Sequence, residues 1–288
     1  MASPPVQNPT SNWNIAIADL VNYEDLPSLW GHLFKALASY TNITNLSFIR
    51  YQKNSVPLAL FSNSVDDPIE SRVEAYVNGA YLLDPFYRAC MYERYQGINT
   101  LTEVAPPDFK ESQYYQTFFS AYGLYDEINI FNWFDENTVI ALSLGRTKGE
   151  RRFGQNSMVR LQEVEPLLSA ISLKTWEKYS QFPLIEDHNQ VSDFHQQLVT
   201  ALKNFGTSIL TPREKDVLDY LLRGYAVKSA AEQLGITPGT LRIHRHSIYE
   251  KLDIGSQTEL FALILECLKQ TTDNTDVDPF LRMMPPEY

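Results

Sequence analysis

Basic and imidazole side chains concentrate in one short stretch near the end of the chain. Residues 237–246 read T-P-G-T-L-R-I-H-R-H, which places Arg242, His244, Arg245 and His246 within five positions. Arginine pairs with guanine through two hydrogen bonds in the major groove, and cationic groups also bind backbone phosphates. Because the whole chain has a net charge of -11, we expect contact with DNA to be confined to this face.

The other reactive side chains form no pattern typical of an enzyme or a metal site. The two cysteines, Cys90 and Cys267, are far apart, and the sequence has no H-E-x-x-H, G-x-S-x-G or phosphate-loop motif. We therefore predict a protein that is not an enzyme and that needs neither a metal nor another cofactor. The five histidines are scattered along the chain: His32, His188, His195, His244 and His246.

The basic stretch belongs to a predicted bundle of four short helices. Thr211 and Glu214 have the spacing of a capping box at the start of the first helix. A G-I-T turn separates the second helix from the third, which is typical of a helix-turn-helix. Leucine and isoleucine at helical spacing turn one side of the third helix to the core. Arg242 and His246 are then left facing outward, where the major groove can receive them.

Residues 210–265 resemble the LuxR-type helix-turn-helix domain of bacterial transcription regulators. The resemblance rests on L-T-P-R-E, A-E-Q-L-G-I-T, T-L-R-I-H, I-Y-E-K-L and T-E-L at mutually consistent spacings. It implies that the base-facing residues are Arg242, Ile243 and His246. It also implies contacts with phosphate or sugar from His244, Arg245, Lys228 and Thr240.

The first 180 residues predict an α+β domain with an antiparallel sheet. The predicted order is a helix over 28–39, strands over 45–51 and 57–61, helices over 67–79, 84–95 and 112–121, strands over 127–134 and 138–145, and a helix over 154–180. We expect a sensor domain over 1–180, a linker with a short helix (192–205) over 181–208, the helix-turn-helix domain over 209–270 and an acidic tail over 271–288. Ser192 and Asp193 are the predicted caps of the linker helix.

The segment A-Y-V-N-G-A-Y-L-L-D-P-F-Y-R-A resembles the autoinducer-binding domain of quorum-sensing LuxR proteins. The resemblance implies that Asp84 accepts a hydrogen bond from the ligand and that Tyr76 lies in the pocket. Arg72 falls near the family's lactone-binding tryptophan, and the interval from Tyr76 to Asp84 is one residue short. We therefore expect an effector other than a standard acyl-homoserine lactone, held in a GAF- or PAS-like pocket. The candidate ligand-binding residues are Tyr76, Tyr81, Asp84, Tyr87, Trp133 and Arg72.

A second interpretation of Asp84 is structural, because an Asp before Pro85 is a typical helix N-cap. One side chain can serve both purposes. Tyrosines beside a carboxylate suit an apolar or a cationic ligand. Asp126 and Glu127 open a predicted strand and are candidates for the mouth of the pocket, although a solvated surface is the favoured interpretation.

The sequence favours a cytoplasmic, ligand-responsive regulator that binds promoter DNA at an inverted repeat as a homodimer, with RNA polymerase as a further partner. The predicted dimer interfaces are the fourth helix of the DNA domain and the helix over 154–180. No apolar segment is long enough to span a membrane. One alternative is a constitutive LuxR-type regulator with no ligand, and another is an interaction module that pairs with a second regulator, favoured only by Val227 and Gly239. A phospho-acceptor receiver domain, suggested by Asp66 and Asp67, is disfavoured because no later strand ends in a third Asp.

Overall fold

The computed structural model describes residues 9–19, 25–63, 68–107, 109–112, 114–121, 123–180, 188–270 and 277–282. An N-terminal α+β domain is built on a five-stranded antiparallel sheet of order β2-β1-β5-β4-β3. The strands are β1 (Asn45–Gln52), β2 (Leu58–Ser62), β3 (Gly97–Thr100), β4 (Leu124–Trp133) and β5 (Thr138–Thr147). Its helices are α1 (Pro9–Asp19), α2 (Leu26–Thr41), α3 (Pro68–Val77), α4 (Pro85–Met91), α5 (Leu101–Val104) and α6 (Gln155–Tyr179). The antiparallel sheet differs from the parallel sheet of a receiver domain, and Asp66 and Asp67 lie outside the described residues.

The two faces of the sheet bury different cores because strand side chains alternate in direction. Leu46 and Phe48 of β1 face α1, α2 and α6, where Trp30 stacks on Phe48 with ring centroids 4.3 Å apart. Tyr51 faces the opposite side and joins a core formed with α4 and the segment over 109–119. The second face carries the candidate ligand site.

The C-terminal domain consists of four helices preceded by α7 (His188–Asn204). They are α8 (Pro212–Leu222), α9 (Val227–Gln233), α10 (Pro238–Lys251) and α11 (Gln257–Lys269). The predicted capping box is confirmed, since Thr211 and Glu214 satisfy each other's backbone N–H groups at the start of α8. Thr237 caps α10 by accepting from the backbone N–H of Thr240 at 3.1 Å.

Three predicted helices differ from the structure. The helix predicted over 84–95 ends at Met91. The linker helix begins at His188 rather than near 192, so Ser192 and Asp193 lie inside α7 and do not cap it. The helix predicted over 112–121 is instead a 3₁₀ turn (Phe109–Glu111) followed by a π turn (Tyr114–Phe119). In the π turn the backbone N–H of Ser120 donates to the carbonyl of Tyr115, five residues back. This wider turn carries four aromatic side chains. The sequence pattern predicts an ordinary α-helix here and does not indicate the wider turn.

The described part of the tail folds back on the linker. The Asp278 carboxylate accepts hydrogen bonds from the backbone N–H groups of Gly206 (2.8 Å) and Ser208 (2.9 Å). Phe280 lies on the next turn (Pro279–Arg282) and is buried against Phe205. No described helix is long and apolar enough to cross a membrane.

Candidate ligand cavity and DNA-binding surface

A cavity of about 80 Å³ lies between the second face of the sheet and the helical segments that cover it. Ser47, Ile49 and Tyr51 point into it from alternate positions of β1. The other lining residues are Pro57, Ala59, Ser62, Val73, Tyr76, Val77, Asp84, Tyr114, Phe118, Phe119, Leu124, Glu127 and Ser143. The space is large enough for several water molecules, since a single water needs about 10–15 Å³ on this scale.

A chain of hydrogen bonds crosses one wall of the cavity. The Tyr51 hydroxyl lies 2.9 Å from the Tyr76 hydroxyl, which donates to Asp84 Oδ2 at 2.6 Å. Asp84 Oδ1 accepts from the backbone N–H of Phe86 at 2.8 Å, so the residue also caps α4. Burial raises the pKa of Asp84 to about 6, although the hydrogen bonds from Tyr76 and Phe86 act in the opposite direction. Asp84 therefore serves as a structural cap and exposes its carboxylate to the cavity.

Glu127 brings a second carboxylate to the cavity wall. Its Oε1 accepts from the Asn129 side-chain amide at 2.8 Å and from the Ser143 hydroxyl at 2.6 Å. The sequence favours a solvated position for this residue, but period-two alternation along β4 turns Glu127 to the covered face. Asp126 is placed differently and accepts from the backbone N–H of Phe153 at 2.9 Å.

Three other predicted ligand residues lie away from the described cavity lining. The buried Tyr81 hydroxyl lies 2.8 Å from His195 Nδ1, and this contact joins the N-terminal domain to α7. Tyr87 packs edge-on against Tyr81. Trp133 stacks under the Arg94 guanidinium, with 3.6 Å between the guanidinium carbon and the ring centroid. The side chain of Arg72 is outside the described part of the chain.

The sequence analysis does not identify the aromatic side chains of the π turn as candidate ligand-binding residues. Tyr114, Phe118 and Phe119 all line the cavity. The Phe118 ring lies 5.9 Å from the Tyr76 ring between centroids. The signal in the sequence is the run Y-Y-Q-T-F-F, whose aromatic density exceeds what a surface helix needs.

Helix α10 presents the predicted DNA-facing side chains to solvent. Leu241 and Ile248 are fully buried, and this fixes the rotation of the helix. Arg242, Ile243 and His246 are exposed on the opposite side, and 70% of Ile243 is accessible. The rotation fixed by the buried residues therefore leaves these three side chains on the solvent-facing side of α10.

The predicted phosphate contacts surround this face. Lys228 on α9 is exposed, whereas Thr240, His244 and Arg245 of α10 are partly exposed. The Arg245 guanidinium carbon lies 6.0 Å from the ring centroid of Tyr249, which holds its stem against the helix.

Glu214 fixes α10 against α8 from inside the domain. Its carboxylate accepts from Lys251 Nζ at 2.6 Å and from the Ser247 hydroxyl at 2.7 Å. Burial acts to raise the pKa of Glu214, but these hydrogen bonds and those from Thr211 outweigh it and lower the pKa to about 2. The exposed face of α10 is thereby held at a fixed angle to the first helix of the bundle.

Comparisons with known proteins agree with this arrangement. The family described as "Bacterial regulatory proteins, luxR family" matches residues 208–264. A protein of Aeromonas salmonicida, named as an HTH-type transcriptional regulator in exeN 3'region, is 30% identical over 188 residues, which are 64% of this chain and 94% of that protein. The transcriptional regulatory protein UhpA of Escherichia coli is 43% identical over 51 residues, or 18% of this chain and 26% of UhpA.

The N-terminal domain also has a counterpart among solved structures. The LBD domain of VqsR from Pseudomonas aeruginosa is 30% identical, with a TM-score of 0.50, and the match covers 56% of this chain and 94% of that domain. These matches confirm the predicted fold class and the family resemblance of both parts of the chain. The chain therefore belongs to the LuxR family of bacterial regulatory proteins, as a transcriptional regulator whose N-terminal domain resembles the LBD domain of VqsR.

Proposed function

We propose that this regulator binds a small molecule in the 80 Å³ cavity and that occupancy controls its binding to promoter DNA as a homodimer. The observation that carries the proposal is the cavity itself, which lies between the sheet and α3, where a constitutive regulator would have a core filled by side chains. Its wall holds two carboxylates and several aromatic rings. This polar and aromatic lining is typical of binding sites rather than of packing defects.

The described lining favours a ligand that carries a hydrogen-bond donor or a cation on a small apolar body. Asp84 and Glu127 are acceptors, and no Lys, Arg or His is among the described residues that line the cavity. Aromatic faces such as those of Tyr114 and Phe118 attract cations. The cavity is well below the roughly 300 Å³ of a pocket for a drug-sized ligand. The effector is therefore small, or one wall moves when it binds.

A thermal-shift titration tests the ligand proposal on the full chain. Butylamine, butanol and butanoate have similar size and differ in charge, so they separate a cationic, a neutral and an anionic preference. We expect butylamine to raise the melting temperature most, because binding to the folded state stabilises it. Asp84→Asn should abolish this shift, whereas Glu136→Gln, an equal loss of charge on the exposed β4–β5 turn, should retain it. Equal shifts for all three compounds would contradict the preference.

We propose Arg242, Ile243 and His246 as base-facing residues on α10. Their exposure on one side, opposite the buried Leu241, supports this role. Arg242→Ala should weaken specific binding in a gel shift by about tenfold or more, the value of a bidentate contact with guanine. Arg151→Ala is the matched control, because it removes an equal charge from an exposed position of the N-terminal domain.

The gel shift also judges the alternative role as an interaction module. Wild-type protein that binds no specific promoter fragment would contradict DNA-binding regulation. Equal affinities of wild type, Arg242→Ala and His246→Ala would instead reject only the assignment of these residues.

A further inference from the structure

The π turn (Tyr114–Phe119) touches both the ligand cavity and the DNA-binding domain. Tyr114, Phe118 and Phe119 line the cavity. On its other side the Tyr114 ring packs edge-on against Phe261 of α11, with centroids 6.1 Å apart and planes at 71°. One short segment is therefore a wall of the first site and a docking surface for the helix-turn-helix domain.

Two glycines of the same interface are packed so closely that a larger residue would not fit. A methyl group on Gly79 would lie 2.8 Å from Leu268 Cδ1 of α11, and Gly79 has a φ of +132°. A methyl group on Gly224, at the end of α8, would lie 3.0 Å from Phe109 and Ser112. Packed interiors transmit displacement instead of absorbing it. A shift of residues 109–119 must therefore either move α11 or break the contact between α11 and this segment.

The apolar side of α11 is consequently buried within its own chain. Its buried residues include Leu260, Phe261, Ile264 and Leu268, and they share one continuous apolar cluster with the cavity-side tyrosines. The N-terminal domain occupies this side of α11, so the predicted dimer contact of α11 concerns its exposed side and stays a prediction.

The walls of the cavity differ in how firmly they are held. Strand β1 is paired on both sides, with β2 and with β5, so the sheet wall resists displacement. The π turn has no strand partner and packs on its surroundings through ring contacts, such as Phe118 on Tyr76 at 5.9 Å between centroids, and a hydrogen bond from the Tyr115 hydroxyl to the Tyr125 carbonyl. Single π turns inside proteins are frequent at functional positions. A ligand larger than the cavity would therefore move the π turn before it moves the sheet.

We propose that the π turn is the element that couples ligand occupancy to the DNA-binding domain, by loosening the contact between α11 and the N-terminal domain when the cavity fills. The proposal rests on the ligand-sensing function above. It assigns the coupling to residues 114–119 and α11 instead of to the linker over 181–208. Occupancy then shifts the population of domain placements, and this is sufficient to alter binding to a two-site promoter.

Large side chains inside the cavity test the coupling without any ligand. Ala59→Phe on β2 and Val73→Phe on α3 fill the space from two different walls. Ala18→Phe on the exposed side of α1 is the control of equal size. We expect amide hydrogen exchange over 257–269 to rise at least about threefold in both cavity variants, since the loss of a ring contact has an effect of this order. Exchange over 257–269 should not rise in the Ala18→Phe control, and exchange in α2 should not rise in any variant.

A double-mutant cycle separates coupling from general damage. Phe261→Leu keeps an apolar side chain in the bundle and removes the ring contact with Tyr114. It should change the dissociation constant for promoter DNA in the same direction as Ala59→Phe, and the double variant should change it no further. Circular dichroism and melting temperature establish that each variant is folded.

Two results would overturn the coupling. One is unchanged exchange of α11 in both cavity variants, and the other is an additive double variant. Wild-type protein that binds no promoter DNA would instead count against the proposed function, and the exchange measurement would still decide the coupling.

Discussion

At the scale of single residues, Asp84 carries an electrostatic cost in the candidate site. Burial raises its pKa from the usual 3.8 to about 6, which corresponds to about 3 kcal/mol against the ionised form. The folded state binds the proton more tightly than the unfolded state, so stability should increase as the pH falls from 6 towards 4. A buried carboxylate kept at this cost, with a cavity beside it, fits a role in binding more than a role as a cap alone.

Asp84→Asn should remove that pH dependence. The amide keeps an acceptor for the Phe86 N–H, since Asn is as good an N-cap as Asp. We expect the variant to be at least as stable as wild type at pH 7. Its free energy of unfolding should lack the contribution that wild type gains from Asp84 as the pH falls from 6 to 4. Urea unfolding at pH 7, 5.5 and 4 measures the difference. Parallel profiles of the two proteins would show that Asp84 does not titrate in this window.

At the scale of elements, Glu214 determines how α10 is set on α8. Its lowered pKa means that the carboxylate stabilises the fold above pH 4.5, its usual pKa, and that this contribution is lost as the pH falls from 4.5 towards 2. Glu214→Gln should cost about 1–3 kcal/mol at neutral pH, because it weakens hydrogen bonds to Lys251 and Ser247. Chemical denaturation measures the loss. The exposed Glu136→Gln should change stability by less than about 0.5 kcal/mol.

The link between Tyr81 and His195 holds α7 on the N-terminal domain. Both side chains are buried, and burial lowers the pKa of His195, so the folded state favours the neutral imidazole. Tyr81→Phe leaves His195 Nδ1 without its 2.8 Å partner and should cost about 1–3 kcal/mol. Hydrogen exchange over 193–204 should rise in the variant. Exchange equal to wild type would show that α7 is held by its apolar contacts instead.

The elements with local signals were predictable from the sequence, and the contacts between distant elements were not. Thr211 and Glu214 mark the start of α8 through their own chemistry, and the G-I-T turn marks the junction between α9 and α10. Asp84 and Tyr76 were found through a short resemblance. The π turn was missed because its aromatic run satisfies helical periodicity as well. Glu127 was predicted to be solvated because its burial depends on α3 and the π turn, which cover the sheet. The sequence of β4 alone does not indicate that covering.

At the scale of the whole molecule, one apolar cluster extends from the cavity into the DNA-binding domain. It contains Tyr81 and Phe118 from the first domain and Leu218 and Ile248 from the second. Continuous burial of this kind makes the placement of the two domains part of the folded state. A regulator that must move the two domains therefore needs a contact between them that breaks easily. The ring contacts of the π turn are weaker than the paired strands of the sheet.

The C-terminal tail binds the linker through Asp278 and Phe280. Asp278 accepts from the Gly206 and Ser208 N–H groups and from the Ser208 hydroxyl at 2.6 Å. Asp278→Ala would leave the buried Gly206 N–H unpaired and remove both bonds from the exposed Ser208, and it should cost about 1–3 kcal/mol. Leu281→Ala, on the exposed side of the same turn, should cost less than about 0.5 kcal/mol. Because Phe280 packs on Phe205 at the end of α7, the Asp278→Ala loss should also raise hydrogen exchange at the α7–α8 junction. A stability loss confined to the tail, with that junction unchanged, would mean that the tail rests on the linker without constraining the domains.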